Sequence, residues 1–197
     1  MSYLDAPPEP IGTFLDWYDE AVRRGAPFAD AMTLATADGN GRPSARTVLF
    51  KGVVDGCVSF VSNFDSRKGR ELAHNPAAAL VFFWPALGRQ VRFEGIVTRA
   101  SEELSERYFR SRDRDSQLGA WASPQSEAIV SRAELEAAVE EARRRFAGRD
   151  VERPPNWGMY LLAPEYVELW ISGDHRLHDR FAYRRDGDAW RGQRLAP

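Results

Sequence analysis

The stretch "MTLATADGNGRPSARTVLFKG", residues 32–52, decides the fold. Its two flanks, "MTLATA" and "SARTVLFKG", are rich in Thr, Val and Leu and enclose the turn "DGNG", a pattern that predicts a β-hairpin. The glycines of "GNGRPS" therefore lie between two strands. A nucleotide-binding loop needs them between a strand and a helix, where the helix N-terminus turns its amides on a phosphate. No G-x-x-x-x-G-K run occurs elsewhere. A Rossmann or P-loop architecture is thereby excluded, and holding a phosphate falls to side chains, above all Arg and Lys.

Outward from the hairpin the chain stays strand-rich. "IGTFLDWYDEAVRRG" spaces Phe14, Trp17, Tyr18 and Val22 for one face of a helix closed by Gly25. "CVSFVSN", "ALVFFW" and "RQVRFEGIVTRA" follow as strands. Ser101 starts a helix over "SEELSERYFRSR", and Ser131 with Glu134 forms a capping box ahead of "LEAAVEEARRRF". The chain closes with the strands "YVELWIS", "HDRFAYRR" and "AWRGQRL", the last two joined by "DGD". Sequential strand pairs with helices at the margins predict a mainly β, mostly antiparallel barrel with peripheral helices. One domain over residues 1–197 is expected, with residues 1–11 a short flexible start.

Bulk properties restrict the partners. Lys and Arg number 27 against 29 Asp and Glu, so no overall positive field draws nucleic acid or an anionic membrane, and any anion site is local. Cys57 is the only cysteine, which excludes an internal disulfide and a cysteine-based zinc site and suits a reducing cytoplasm. "MSYLDAPPEP" lacks the features of a secretion signal, and the apolar run "AAALVFFW" is far short of the ~20 residues a spanning helix needs. A soluble cytoplasmic protein is expected.

Local basic clusters do occur. Arg46 and Lys51 flank the apolar "TVLF", Arg67 and Lys68 sit in the predicted loop "DSRKG", and Arg112, Arg114 and Ser116 lie just past a predicted helix end. In "GDHRLHDRF", residues 173–181, strand alternation would put Arg176, His178 and Arg180 on one face and His175, Leu177 and Asp179 on the other. Three basic groups on one face call for an anion.

The blocks "RTVLFKG", "SNFDSRKGRELAHNP", "RQVRFEG", "YFRSRDRDSQLGAWASPQS" and "WISGDHRLHDRFAYRRDGDAWRGQRLAP" resemble, in order and spacing, those of the pyridoxamine 5'-phosphate oxidase family. The likeness runs over about residues 12 to 197. It implies an FMN-binding split β-barrel, a homodimer with flavin at the interface, and oxidation of pyridoxamine or pyridoxine 5'-phosphate by O2 with release of H2O2. Carried onto this chain, the FMN contacts fall on Arg46, Ser62, Arg67, Lys68, Gln90, Gln125, Ser126, Trp170 and Arg180. The substrate-phosphate contacts fall on Lys51, Tyr108, Arg112 and Ser116, and Arg176 with His178 stands over the substrate ring as the catalytic pair. Read as residues alone, Trp170 and Tyr108 suit core packing equally well, and Gln125 and Ser126 suit a turn after Pro124. Two other functions stay open: a related FMN oxidase of another ring system, such as a phenazine precursor, and a split-barrel protein that binds flavin or haem without turnover.

Overall fold

The computed structural model describes residues 6–197. Helix α1 (Pro10–Arg23) is capped by Glu9, whose carboxylate accepts the Ile11 N–H at 3.0 Å, and it buries Phe14, Trp17 and Ala21. Strands β1 (Ala31–Ala37) and β2 (Pro43–Leu49) make the expected hairpin, paired from Ala31 opposite Leu49 to Ala37 opposite Pro43. Gly41 takes the positive φ of 77° that this turn requires. The chain continues through β3 (Val53–Val54), β4 (Cys57–Asn63), α2 (Arg67–His74), β5 (Ala77–Trp84) and β6 (Arg89–Arg99). Helices α3 (Glu102–Ser111), α4 (Arg114–Ala122) and α5 (Arg132–Arg145) precede β7 (Trp157–Ile171), β8 (Asp179–Asp186) and β9 (Ala189–Leu195).

The strand path is β2-β1-β5-β6-β7-β4-β3, with β8 on β7 and β9 on β8, and each of these pairings is antiparallel. The 15-residue β7 organises the sheet. One of its edges follows β6 from end to end, while the other serves β4 over Trp157–Leu162 and β8 over Tyr166–Ile171. The barrel closes where the chain after β2 meets β4: the Lys51 N–H donates to the Ser59 carbonyl at 2.9 Å, and the Ser59 N–H to the Gly52 carbonyl at 3.0 Å.

The barrel interior is aromatic. Phe14 of α1 sits 4.8 Å from Phe82 and 5.0 Å from Phe93, ring centre to ring centre, and each such side chain removed from water stabilises the fold by about 1.5–3 kcal/mol. A smaller apolar cluster of Phe109, Leu118, Ala142, Phe146, Val151 and Trp157 ties α3–α5 to the start of β7. Residues 1–5 of the expected flexible start lie outside the described residues. In the remainder, the Pro7 carbonyl accepts the Tyr183 hydroxyl at 2.8 Å and Pro10 opens α1.

Three local expectations are corrected. Arg67 and Lys68 are not in a loop: Ser66 caps α2 there, accepting the Gly69 N–H at 3.3 Å, so a strand-to-helix turn follows β4 without any glycine before it. Arg114 and Ser116 are likewise helical, in the first turn of α4, because the Asp113 carboxylate accepts the Ser116 N–H at 2.8 Å and restarts the helix after Arg112. The stretch 173–178 is not a strand. Because β7 and β8 pair up to Ile171 opposite Asp179, the residues between must reverse the chain, and His175 and Arg176 do so with φ of 52° and 66°. Alternation therefore does not put Arg176, His178 and Arg180 on one strand face; only Arg180 is on a strand, and Leu177 is 72% exposed.

Candidate active site

A cavity of about 850 Å³ opens between β2, β4, the first turn of α2, the α3–α4 junction and residues 125–126. It gathers ten of the predicted residues. Arg46, Ser62, Arg67, Lys68, Gln125 and Ser126 line it from one group, and Lys51, Tyr108, Arg112 and Ser116 from the other.

Glu71, which the sequence reading did not single out, organises the first group. Its carboxylate, 6% exposed, accepts Arg46 Nη2 at 3.0 Å, Arg67 Nε at 2.8 Å, Thr36 Oγ1 at 2.5 Å and Ser44 Oγ at 2.7 Å. Burial pushes its pKa up, but the hydrogen bonds from Thr36, Ser44, Arg67 and Arg46 outweigh that and bring it down to about 2. Beside it, Lys68 is 8% exposed and, among the described residues, donates only to neutral acceptors: Ser62 Oγ at 2.9 Å, Gln125 Oε1 at 3.1 Å and Ser66 Oγ at 3.2 Å. Burial, then the nearby Arg46 charge, lower its pKa to about 8 against a smaller opposing pull from Glu71. An ammonium buried without its own carboxylate marks a place for an anion.

In the second group Lys51 Nζ reaches Asp30 Oδ2 at 3.4 Å. Arg112 differs. Its Nη1 is buried without a hydrogen-bond partner among the described residues, and its guanidinium lies 4.7 Å from the centre of the Trp157 ring. Burial lowers its pKa, with Tyr108 and Asp113 opposing.

The other five predicted residues do not line this cavity. Gln90 pairs with Trp170 across β6–β7, Trp170 pairs with Arg180 across β7–β8, and the His178 ring lies 4.7 Å from that of Trp170. The Gly173 N–H donates to His178 Nδ1 at 3.1 Å. Arg180 Nε donates to Glu168 Oε1 at 2.8 Å, and the buried Glu168 also takes Arg92 Nη2 at 2.9 Å and the Tyr166 hydroxyl at 3.0 Å. Arg176 is exposed. The site residues thus fall into two clusters, one around the cavity and one at the far end of β7. Glu168 had one sequence signal, an acid flanked by apolar residues in "YVELWIS"; Glu71 had only its four-residue spacing from Arg67.

A model described as pyridoxamine 5'-phosphate oxidase matches residues 18–146. The chain belongs to the pyridoxamine 5'-phosphate oxidase family. A second model, the pyridoxine 5'-phosphate oxidase C-terminal dimerisation region, matches residues 157–197, which hold β7–β9 and most of the second cluster. The pyridoxine/pyridoxamine 5'-phosphate oxidase of Rubrobacter xylanophilus is 53% identical over 98% of this chain and 88% of its own length. Among solved structures, PhzG from Burkholderia lata 383, in complex with tetrahydrophenazine-1-carboxylic acid, is 32% identical with a TM-score of 0.93, covering 100% of this chain and 98% of its own. A pyridoxamine 5'-phosphate oxidase-related, FMN binding protein from Nostoc punctiforme, 21% identical with a TM-score of 0.78 over the full length of both chains, shares the fold. The mostly antiparallel sheet with its branching β7 is the split barrel of pyridoxamine 5'-phosphate oxidases.

Proposed function

We propose that this chain is an FMN-dependent oxidase that converts pyridoxamine 5'-phosphate or pyridoxine 5'-phosphate to pyridoxal 5'-phosphate with O2 as acceptor, releasing H2O2. The observation that carries this reading is a pair of cations lining one cavity, the buried Lys68 and the half-buried Arg112, each lacking a carboxylate partner among the described residues. Two such groups fit two phosphates, one on a mononucleotide and one on the substrate. Arg46, Ser62, Arg67, Lys68, Gln125 and Ser126 would hold the flavin phosphate and ribityl chain, and Gln90, Trp170 and Arg180 its ring edge. Bound there, FMN would supply two-electron oxidation and pass the electrons to oxygen.

The protein's own contribution is binding and orientation. Lys51, Tyr108, Arg112 and Ser116 neutralise the substrate phosphate and so fix the ring in the cavity. Arg176 and His178 cover the ring from the far side. With Nδ1 accepting from Gly173, a neutral His178 carries its proton on Nε2, the nitrogen left to face the substrate. The separation of the two clusters, together with a C-terminal region of the dimerisation type, supports a homodimer in which each partner's Gln90, Trp170, Arg176, His178 and Arg180 complete the other's cavity. A single cysteine fits a cytoplasmic setting.

The likeness to PhzG favours a second reading, oxidation of a phenazine precursor. That ligand carries a carboxylate and no phosphate, an anion that one guanidinium can satisfy, so it does not call for the whole set of Lys51, Tyr108, Arg112 and Ser116. Oxygen uptake by the purified protein with pyridoxamine 5'-phosphate, pyridoxine 5'-phosphate and a tetrahydrophenazine carboxylate tests both. Turnover with the last alone would overturn the proposal.

A further inference from the structure

We infer that Trp157 is the positioning residue for the substrate phosphate, a rigid indole shelf that holds Arg112 and Tyr108 without consuming their hydrogen-bonding groups. The inference deepens the phosphate assignment above and rests on it. The cations of this cavity are tethered in different ways. Arg46 and Arg67 share Glu71, Lys51 has Asp30, and Lys68 has a ring of neutral oxygens. Arg112 has no ion pair among the described residues, yet it is half-buried and must keep one orientation to grip a phosphate.

An aromatic face solves that problem. A guanidinium stacked on indole is attracted through the ring's quadrupole, while its N–H groups stay in their own plane and remain free. The Arg112 guanidinium lies 4.7 Å from the Trp157 ring centre, closer than the 5.8 Å to Phe109. The Tyr108 ring is nearly parallel to the same indole, at 6.3 Å and 12°. Two of the four residues assigned to the phosphate thus lean on one side chain.

That side chain is itself immobile. Trp157 is 6% exposed, packs edge-on against Phe109 at 5.2 Å, and its backbone is set in register opposite Asn63 at the start of β7. It also lines a smaller cavity of about 340 Å³ that shares Val61, Ser62, Arg112, Ser116 and Gln125 with the main one, so the indole adjoins the site.

The test uses the FMN-loaded protein and the single variants Trp157→Phe, Trp157→Leu and Arg112→Ala, with the double variant Trp157→Phe/Arg112→Ala. Pyridoxal 5'-phosphate affinity is measured by calorimetry, and KM and kcat are measured with pyridoxamine 5'-phosphate. Losing the stacking contact should raise Kd and KM by about threefold to thirtyfold in Trp157→Leu, and less in Trp157→Phe, with kcat within about twofold of the unaltered protein. In the Arg112→Ala background, Trp157→Phe should raise Kd by a smaller factor than in the unaltered protein, because only the Tyr108 contact is then left to lose. An equal loss from Trp157→Phe in both backgrounds, or no loss from either Trp157 variant while Arg112→Ala weakens binding, overturns the shelf. If Arg112→Ala itself binds pyridoxal 5'-phosphate normally, the phosphate assignment fails instead. Because Trp157→Phe keeps an aromatic ring in the apolar cluster, the cycle remains readable even where Trp157→Leu does not fold.

Discussion

Replacing Glu71 with glutamine removes one charge from the carboxylate that holds Arg46 and Arg67 from behind the cavity wall, while keeping its shape. Its pKa lies at about 2 against an ordinary value of 4.5, a shift worth about 3 kcal/mol of folding free energy at about 1.4 kcal/mol per unit. Because the folded pKa is the depressed one, this stability is fully present above pH 4.5 and is lost as the pH falls toward 2. The amide can still accept from one arginine, but its NH2 end faces the other. Glu71→Gln should therefore be less stable than the unaltered protein by about 2–3 kcal/mol near pH 7. The gap should shrink progressively below pH ~4.5 as the native carboxyl becomes neutral too. Urea unfolding of the flavin-free protein, followed by tryptophan fluorescence at fixed protein concentration from about pH 7 to about pH 3, reads this directly. Equal stabilities near neutrality, or a gap that stays constant on acidification, would refute the picture of an ionised clamp holding Arg46 and Arg67.

Arg112→Ala should raise KM for pyridoxamine 5'-phosphate by about ten- to a hundredfold with flavin content unchanged, as steady-state kinetics and the visible spectrum would show. Lys68 is about half neutral near pH 8 in the free cavity, so FMN binding in mildly alkaline buffer should take up a proton. Calorimetry in two buffers of different ionisation heat measures that uptake, and Lys68→Met should abolish it. Arg176→Ala should slow anaerobic flavin reduction by pyridoxamine 5'-phosphate, whereas Leu177→Ala, with its side chain in solvent, should reduce at the normal rate; the reverse pattern would misplace the loop. Sedimentation should show a dimer, and a fully active monomer would contradict the shared site.

The strands were legible because burial on one face leaves period-two patterns of Val, Ile, Phe and Thr, and the hairpin at residues 38–41 carried its own turn chemistry. The cap of α5 was legible too, although the Glu134 carboxylate reaches the Val130 N–H at 2.9 Å rather than that of Ser131. Helix α4 was not, since Gly119 interrupts a nine-residue segment with a weak apolar face. The first half of β7 was hidden behind Pro154, Pro155 and Gly158, and its pairing with both β4 and β6 is a tertiary fact. Basic residues at 176, 178 and 180 mimicked a strand because a loop of alternating type has the same spacing. Ten of fifteen predicted site residues meet in one cavity, yet the bonds from Arg46 to Glu71 and, outside that cavity, from Arg180 to Glu168 join different elements, which sequence spacing does not encode.

Strand β7 can also be regarded as a measuring rod. Trp157 and Trp170 lie thirteen steps apart on it, about 43 Å along the strand at ~3.3 Å per residue, a path far longer than a mononucleotide. On the proposed reading, one rod presents a phosphate grip at one end and a ring-edge grip at the other, and a single ligand cannot span them. Two rods laid side by side in opposite directions bring unlike ends together, twice. The count of flavins is then locked to the count of chains, and damage to either end of one rod empties a site without touching the other end's usefulness to its neighbour.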